Sequence, residues 1–300
     1  MMNVAFYGLN GLSHGFTDPL PVSKRDWIAR NSRQTKSRRK PMSNEFDFST
    51  SRRTVLKTSA AATVAGVALA TGLSDSAKAS ESGAKPRDYV SPNRERSVLI
   101  TIDTQNDFSL HGAPAEIPGT MAVVPNIKRG LEAFRRKGLP IIHVIRLYQP
   151  DGSNVDVARR KLLQDGARIV NPGTDGAELV SDLKRSASDR LDSAALLAGH
   201  SQQVGPKEWV IYKPRWGAFY GTNLADQLRE LGVDTIALAG CNYPNCPRTT
   251  LYEASERDFR LIMLTDAVSG VYDKGLQEMK AIGVNLMTTD EATKWVNATT

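Results

Sequence analysis

Both cysteines of this 300-residue chain lie in one short stretch, Gly240-Cys241-Asn242-Tyr243-Pro244-Asn245-Cys246-Pro247-Arg248-Thr249-Thr250. Cys246 precedes a proline, a residue favoured in the first turn of a helix. Its sulfur is therefore expected at a helix N-terminus, where free N–H groups and the helix dipole favour the thiolate, the attacking form in nucleophilic catalysis. Cys241 follows the apolar run TIALAG and reads as a small packed residue or loop former. A disulfide between the two stays open, although closing so short a loop stabilises little beyond ~2 kcal/mol. A metal clip is not supported, because the nearest histidine in sequence is His200 and no Cys/His spacing matches a zinc pattern. Two more reactive residues follow apolar runs: Asp103 in IDTQNDF and Lys213 in YKPRWGAF. Alone, the aspartate reads as a helix cap and the lysine as a solvated charge. An acid, an amine and a thiol at three strand ends of one sheet point instead to catalysis, since active groups collect beyond the carboxyl ends of parallel strands.

The elements that must position these groups alternate along the chain. Short apolar, β-branched runs at 97–102, 141–146, 209–212, 235–240, 260–265 and 284–289 read as strands buried on both faces. Helical spacing covers 123–137, 223–231, 247–258 and 273–282, and the charged, glycine-containing segment 150–206 reads as two or three short helices and loops. Such alternation predicts βαβ units with right-handed crossovers. The expected fold class is α/β, a three-layer α/β/α domain with a mostly parallel six-stranded sheet over 97–300, preceded by a flexible linker at 80–96.

Charge excludes one class of partner. Residues 1–79 hold 12 Lys/Arg against 5 Asp/Glu and account for the whole net charge of +7, while the rest carries 27 of each sign. A face for nucleic acid is therefore not supported. Ser51-Arg52-Arg53-Thr54-Val55-Leu56-Lys57, an apolar stretch from Ala60 to Leu73 and Ala77-Lys78-Ala79 read as a twin-arginine export signal with its cleavage site. The apolar stretch falls short of the ~20 residues that span a bilayer. An uncleaved membrane anchor is the alternative. The expectation is a chain engaged by the twin-arginine export machinery, periplasmic or extracellular and free of the membrane after cleavage, with Met42 as the preferred start.

These residues resemble the isochorismatase-like cysteine hydrolases. The match runs from about 97 to 289 and rests on Asp103-Thr104-Gln105-Asn106-Asp107-Phe108, on Lys213 with Gly217-Ala218-Phe219, and on Gly240, Cys246 and Thr250, followed by Glu253-Ala254 and Thr265-Asp266-Ala267. The resemblance implies an isochorismatase-like (Rossmann-like) fold with Cys246 as nucleophile, Asp103 as proton shuttle and Lys213 as the cation between them. It also implies a cis peptide at Cys241–Asn242, with the N–H groups of Asn242 and Cys246 forming an oxyanion hole, and assembly as a dimer or tetramer. The nicotinamidase branch carries an Asp-x-His metal motif after the second strand. Here that place reads Arg146-Leu147-Tyr148-Gln149-Pro150-Asp151, so neither metal nor cofactor is expected.

The function this implies is cysteine-dependent hydrolysis of a C–N bond in a small amide or ureido compound. Enol-ether hydrolysis of the isochorismatase type, and a non-catalytic exported binding or thiol-redox protein, are the alternatives. Phe108, Tyr148, Trp216, Phe219 and Tyr243 are candidates to line the pocket, and Arg146 and Arg215 to bind a substrate carboxylate through a planar guanidinium. Core or rim packing is the alternative for each aromatic, and a surface or intersubunit salt bridge for each arginine. Asn106 and Asp107 read as turn caps, and His111 and His143 carry no assigned role.

Overall fold

A computed structural model of the chain describes residues 88–298; the leader expected over 1–79 lies outside the described residues. Seven strands form one sheet in the order β3-β4-β2-β1-β5-β6-β7. They are β1 (Ser97–Ile102), β2 (Ile141–Ile145), β3 (Gln202–Gly205), β4 (Glu208–Tyr212), β5 (Thr235–Gly240), β6 (Arg260–Val268) and β7 (Asn285–Met287). Every pairing is parallel except β3 with β4.

The helices are α1 (Asn106–Ser109), α2 (Thr120–Lys137), α3 (Val157–Gln164), α4 (Ser193–Leu197), α5 (Leu224–Glu230), α6 (Cys246–Ser255), α7 (Asp273–Ala281) and α8 (Thr289–Asn297). Side chains alternate across a strand, and β1 serves both faces of the sheet. Val98, Ile100 and Ile102 pack with Leu224, Leu228, Leu251 and Met279 from α5, α6 and α7. Leu99 packs with Val124, Ile127, Leu131 and Phe134 of α2 and Val296 of α8. All six residues of β1 are buried, which is why Val98–Ile102 is continuously apolar or β-branched rather than alternating.

The structure departs from the sequence reading at the edges. The sheet has seven strands, not six. The extra one, β3, is the polar and partly exposed QQVG, which pairs antiparallel on the rim with a register shift and carries no apolar run to announce it. The final expected strand at 284–289 is cut to three residues because Thr288 caps α8, its hydroxyl bonded to the N–H of Glu291 and the Glu291 carboxylate bonded back to the Thr288 N–H. The Thr-x-x-Glu signature of that capping box was available in the sequence. The described part of 80–96 is not a free linker: Asn93 N–H bonds Thr235 Oγ1 at 2.9 Å, Arg96 Nε bonds the Gly232 carbonyl at 2.8 Å, and Asn285 Nδ2 bonds the Val90 carbonyl at 2.8 Å.

His143 proves structural. From the middle of β2 it meets Thr101 Oγ1 at 2.7 Å and Glu208 Oε1 at 3.0 Å, and Glu208 also takes Arg135 at 2.6 Å and Arg185 at 3.1 Å. Burial alone would raise the Glu208 carboxyl, but the bonds from His143 and Arg135 hold it far below the usual carboxylate range. A carboxyl depressed in the folded state stabilises above its unfolded pKa and loses that contribution as the pH falls. Chemical denaturation of Glu208→Gln is expected to show a loss of about 3 kcal/mol at neutral pH, since a buried charge partner is removed, with the gap to the parent protein narrowing below about pH 4.

Candidate active site

The sheet ladder brings the reactive residues to one level. Beyond the last strand residues, Asp103 N–H bonds the Val144 carbonyl, Lys213 N–H bonds the Ile145 carbonyl and Cys241 N–H bonds the Ile102 carbonyl, each at 2.9 Å. Asp103 leaves β1 with φ of 52°, a left-handed conformation that aspartate adopts more readily than branched residues do. Gly240 closes β5 with φ of 122°, where a Cβ would sit 2.2 Å from the Ile102 carbonyl oxygen; only glycine fits. Lys213 Nζ reaches Asp103 Oδ2 at 2.9 Å, with the lysine fully buried and the aspartate 4 % exposed. Among the described residues Asp103 Oδ1 is buried without a hydrogen-bond partner.

Cys246 is the first residue of α6, with Pro247 in the first turn as the sequence suggested, and is buried at 4 % exposure. The Cys241–Asn242 peptide is cis, as the resemblance implied. Neither the Asn242 nor the Cys246 N–H donates to another described residue. Both thiols are free: Cys241 donates to the Asp103 carbonyl at 3.0 Å, and Cys246 Sγ lies 3.9 Å from Arg146 Nη2. Arg146 also faces the rings of Tyr148 and Trp216, with its guanidinium carbon 5.7 and 5.4 Å from their centroids, and Phe108 meets Tyr148 edge-on at 6.3 Å. Arg159 of α3, which the sequence reading passed over, stacks on Trp216 at 4.3 Å and donates to the Tyr148 hydroxyl.

The Isochorismatase domain family model matches residues 97–192 and 194–291. The chain belongs to the isochorismatase family. It is 32% identical over 201 residues to a probable inactive nicotinamidase of Arabidopsis thaliana, covering 65% of this chain and 93% of that protein. It is 27% identical over 209 residues to an N-carbamoylsarcosine amidase of Arthrobacter sp., covering 68% and 72%. Among solved structures, an isochorismatase family protein from Desulfovibrio vulgaris is 32% identical with a TM-score of 0.57, covering 68% of this chain and 99% of that one. The α/β architecture and mostly parallel sheet found here are those of the isochorismatase-like fold.

The motif residues of this isochorismatase-family chain that do no chemistry tie its loops together. Gln105 brackets the Arg146 peptide, accepting its N–H at 2.8 Å and donating to its carbonyl at 2.7 Å, and donates also to the Ala177 carbonyl. Asp107 accepts the Val170 N–H at 2.6 Å. Thr250 donates to the Cys246 carbonyl and accepts the Ala218 N–H, while Glu253 accepts the Phe219 N–H at 2.9 Å, so the Lys213 loop is laced onto the Cys246 helix. Gly217 lies so near Glu253 that a Cβ there would sit 2.1 Å from its carboxylate.

Three expected pocket residues are engaged elsewhere. Phe219 packs on Phe259 under Arg257, because its N–H is drawn to Glu253. Tyr243 is fully buried, its hydroxyl donating to the Gly275 carbonyl and its ring against Tyr272. Arg215 donates to the Asn154 and Pro214 carbonyls.

The expectation of a lowered Cys246 pKa is corrected. Burial pushes the thiol up first and the Asp103 carboxylate adds to it, while Lys213 and Arg146 pull it down by less. The resting group is therefore a thiol. Cys241 is pushed up further still, by burial and by Asp103. Iodoacetamide is expected to alkylate Cys246 slowly at pH 7, with a rate climbing about tenfold per pH unit to beyond pH 9, and to leave Cys241 unmodified. Peptide mass mapping across the pH range checks this; a rate already flat at pH 7 would contradict it.

Proposed function

We propose that this chain is a cysteine hydrolase that cleaves a C–N bond of a small amide or ureido compound through a thioester. The observation that carries the reading is the buried ion pair of Lys213 with Asp103 at 2.9 Å, both acting on the buried Cys246 thiol at the start of α6. Relatives named N-carbamoylsarcosine amidase, maleamate amidohydrolase and ureidoacrylate amidohydrolase support the bond type.

The steps follow from charge. Ionising a buried thiol is costly in isolation. Passing its proton to Asp103 costs far less, because one negative charge is exchanged for another and Lys213 stays beside both. The thiolate attacks the carbonyl carbon, the C=O electron pair moves to oxygen, and the N–H groups of Asn242 and Cys246 donate to that oxyanion. Asp103 returns the proton to the leaving nitrogen as the C–N bond breaks. Water then loses a proton to Asp103 and attacks the thioester; the oxyanion collapses, the C–S bond breaks and Cys246 takes the proton back. A preorganised oxyanion donor contributes ~10²–10³ in rate.

Replacing Cys246 by Ala is expected to reduce amide turnover to background, and Asp103→Asn to lower it by ~10²–10⁴-fold, with far-ultraviolet circular dichroism unchanged. Turnover that survives Cys246→Ala but not Asp103→Asn would favour enol-ether hydrolysis instead.

The proposal includes export, supported by the Arg52-Arg53 motif, the apolar stretch after it and Ala77-Lys78-Ala79. Cell fractionation with intact-mass measurement is expected to find a periplasmic form that starts at Ser80, and Arg52→Lys/Arg53→Lys to retain the precursor in the cytoplasm.

A further inference from the structure

Lys213 does not face the sulfur alone. Its ammonium is committed to Asp103 Oδ2 at 2.9 Å and to the Arg215 carbonyl at 3.2 Å. A second cation set against Cys246 is Arg146, the residue after β2, which is fully buried and held on several sides. Gln105 fixes its backbone, Nη1 donates to the Pro214 carbonyl at 3.0 Å, and the Tyr148 and Trp216 rings flank it. Nη2 lies 3.9 Å from Cys246 Sγ and 3.1 Å from Asp156 Oδ2.

The Asp156 partnership is incomplete. Asp156 is 5 % exposed, yet among the described residues neither carboxylate oxygen makes an aligned hydrogen bond, and Arg146 Nε is likewise buried without a partner. A guanidinium whose counter-ion meets it askew keeps much of its field for other neighbours. Arg146 stays charged in spite of burial, with the Asp103 and Asp156 carboxylates favouring its cation.

We propose that Arg146 is a fourth catalytic residue, whose guanidinium holds and charge-balances the Cys246 thiolate, and that Asp156 tempers that effect from the α3 side. The proposal rests on the cysteine-nucleophile reading. The charged and titratable groups around the sulfur are Asp103 after β1, Arg146 and Tyr148 after β2, Lys213 after β4, Cys241 after β5, and Asp156 and Arg159 from the α3 side. Of these, Arg146 and Asp156 can be changed without touching the proton path between Cys246 and Asp103. As the thiol proton passes to Asp103, negative charge moves from a carboxylate paired with Lys213 to a sulfur that faces Arg146 as well as Lys213.

The two residues make opposite predictions. Removing the cation disfavours the thiolate; removing the counter-ion favours it. The experiment measures alkylation of Cys246 by iodoacetamide at pH 8 in the full chain, with folding checked by circular dichroism. Arg146→Gln is expected to slow alkylation about tenfold, the effect of one unit in thiol pKa, and Arg146→Lys to restore part of it. Asp156→Asn is expected to accelerate alkylation several-fold, and it carries the test if Arg146→Gln does not fold. An unchanged rate in either folded variant, or a change of opposite sign, overturns the proposal. Failure of the underlying reading has a separate signature, a parent protein that retains turnover after Cys246 is fully alkylated.

Discussion

The ion pair between Lys213 and Asp103 is the constraint on which the rest of the site depends. Both side chains are removed from water, at 0 % and 4 % exposure, and meet at 2.9 Å. Burying either charge alone would cost several kcal/mol, so neither loop can drift without exposing the other charge. A second buried pair, Arg146 with Asp156 at 3.1 Å, stands beside the first. Each pair balances its own charge, so the proposed proton transfer from thiol to carboxylate changes where negative charge sits but not its sum. A base that was neutral at rest would instead have to create a charge pair in a buried site. That is the physical reason for a carboxylate beside a thiol whose own pKa is raised.

The scaffold supplies the precision. Three backbone hydrogen bonds carry the ladder one residue past the strand ends, so Asp103, Lys213 and Cys241 inherit the register of the sheet rather than the freedom of loops. From there, Gln105 joins the β1 end to the β2 end, and Thr250 and Glu253 lace the Lys213 loop to α6. Gly240 permits the contact of β5 with β1 that brings the cysteine loop close. Reactive groups on rigid elements, steadied by a further layer of hydrogen bonds, give the geometry that the proposed thioester route needs.

Much of this was legible in the residues. Strands buried on both faces announce themselves as unbroken apolar runs, and SVLITI and TIALAG were located to the residue for that reason. Asp103 and Lys213 were legible because each follows such a run, and Cys246 because it precedes Pro247. The polar edge strand QQVG was not, since its hydrogen bonds to β4 rather than its own pattern make it a strand. The capping box of α8 was present in Thr288 to Glu291 but hidden by an apolar stretch that resembled a longer strand. Aromatics were the poorest guide, because an aromatic on a strand-end loop packs inward or outward according to neighbours the sequence does not display. Tyr148 and Trp216 meet Arg146, whereas Tyr243 and Phe219 turn to α7 and to Phe259. Arg159 carried no local signal, since only the path of 147–156 delivers it to Trp216. The thiol pKa departs from the sequence expectation because a helix N-terminus is visible in Cys246-Pro247 while burial of the sulfur is not.

The central claim is that Cys246 becomes covalently acylated with help from a buried, charge-balanced neighbourhood. It is tested most directly by acid-quenching the protein during turnover of a pool of small amides and ureido compounds and mapping the trapped mass. The account predicts a hydroxylamine-labile acyl adduct on the peptide containing Cys246, absent from the peptide of Cys246→Ser. Turnover with no adduct at any time point, or an adduct on another residue, would contradict it.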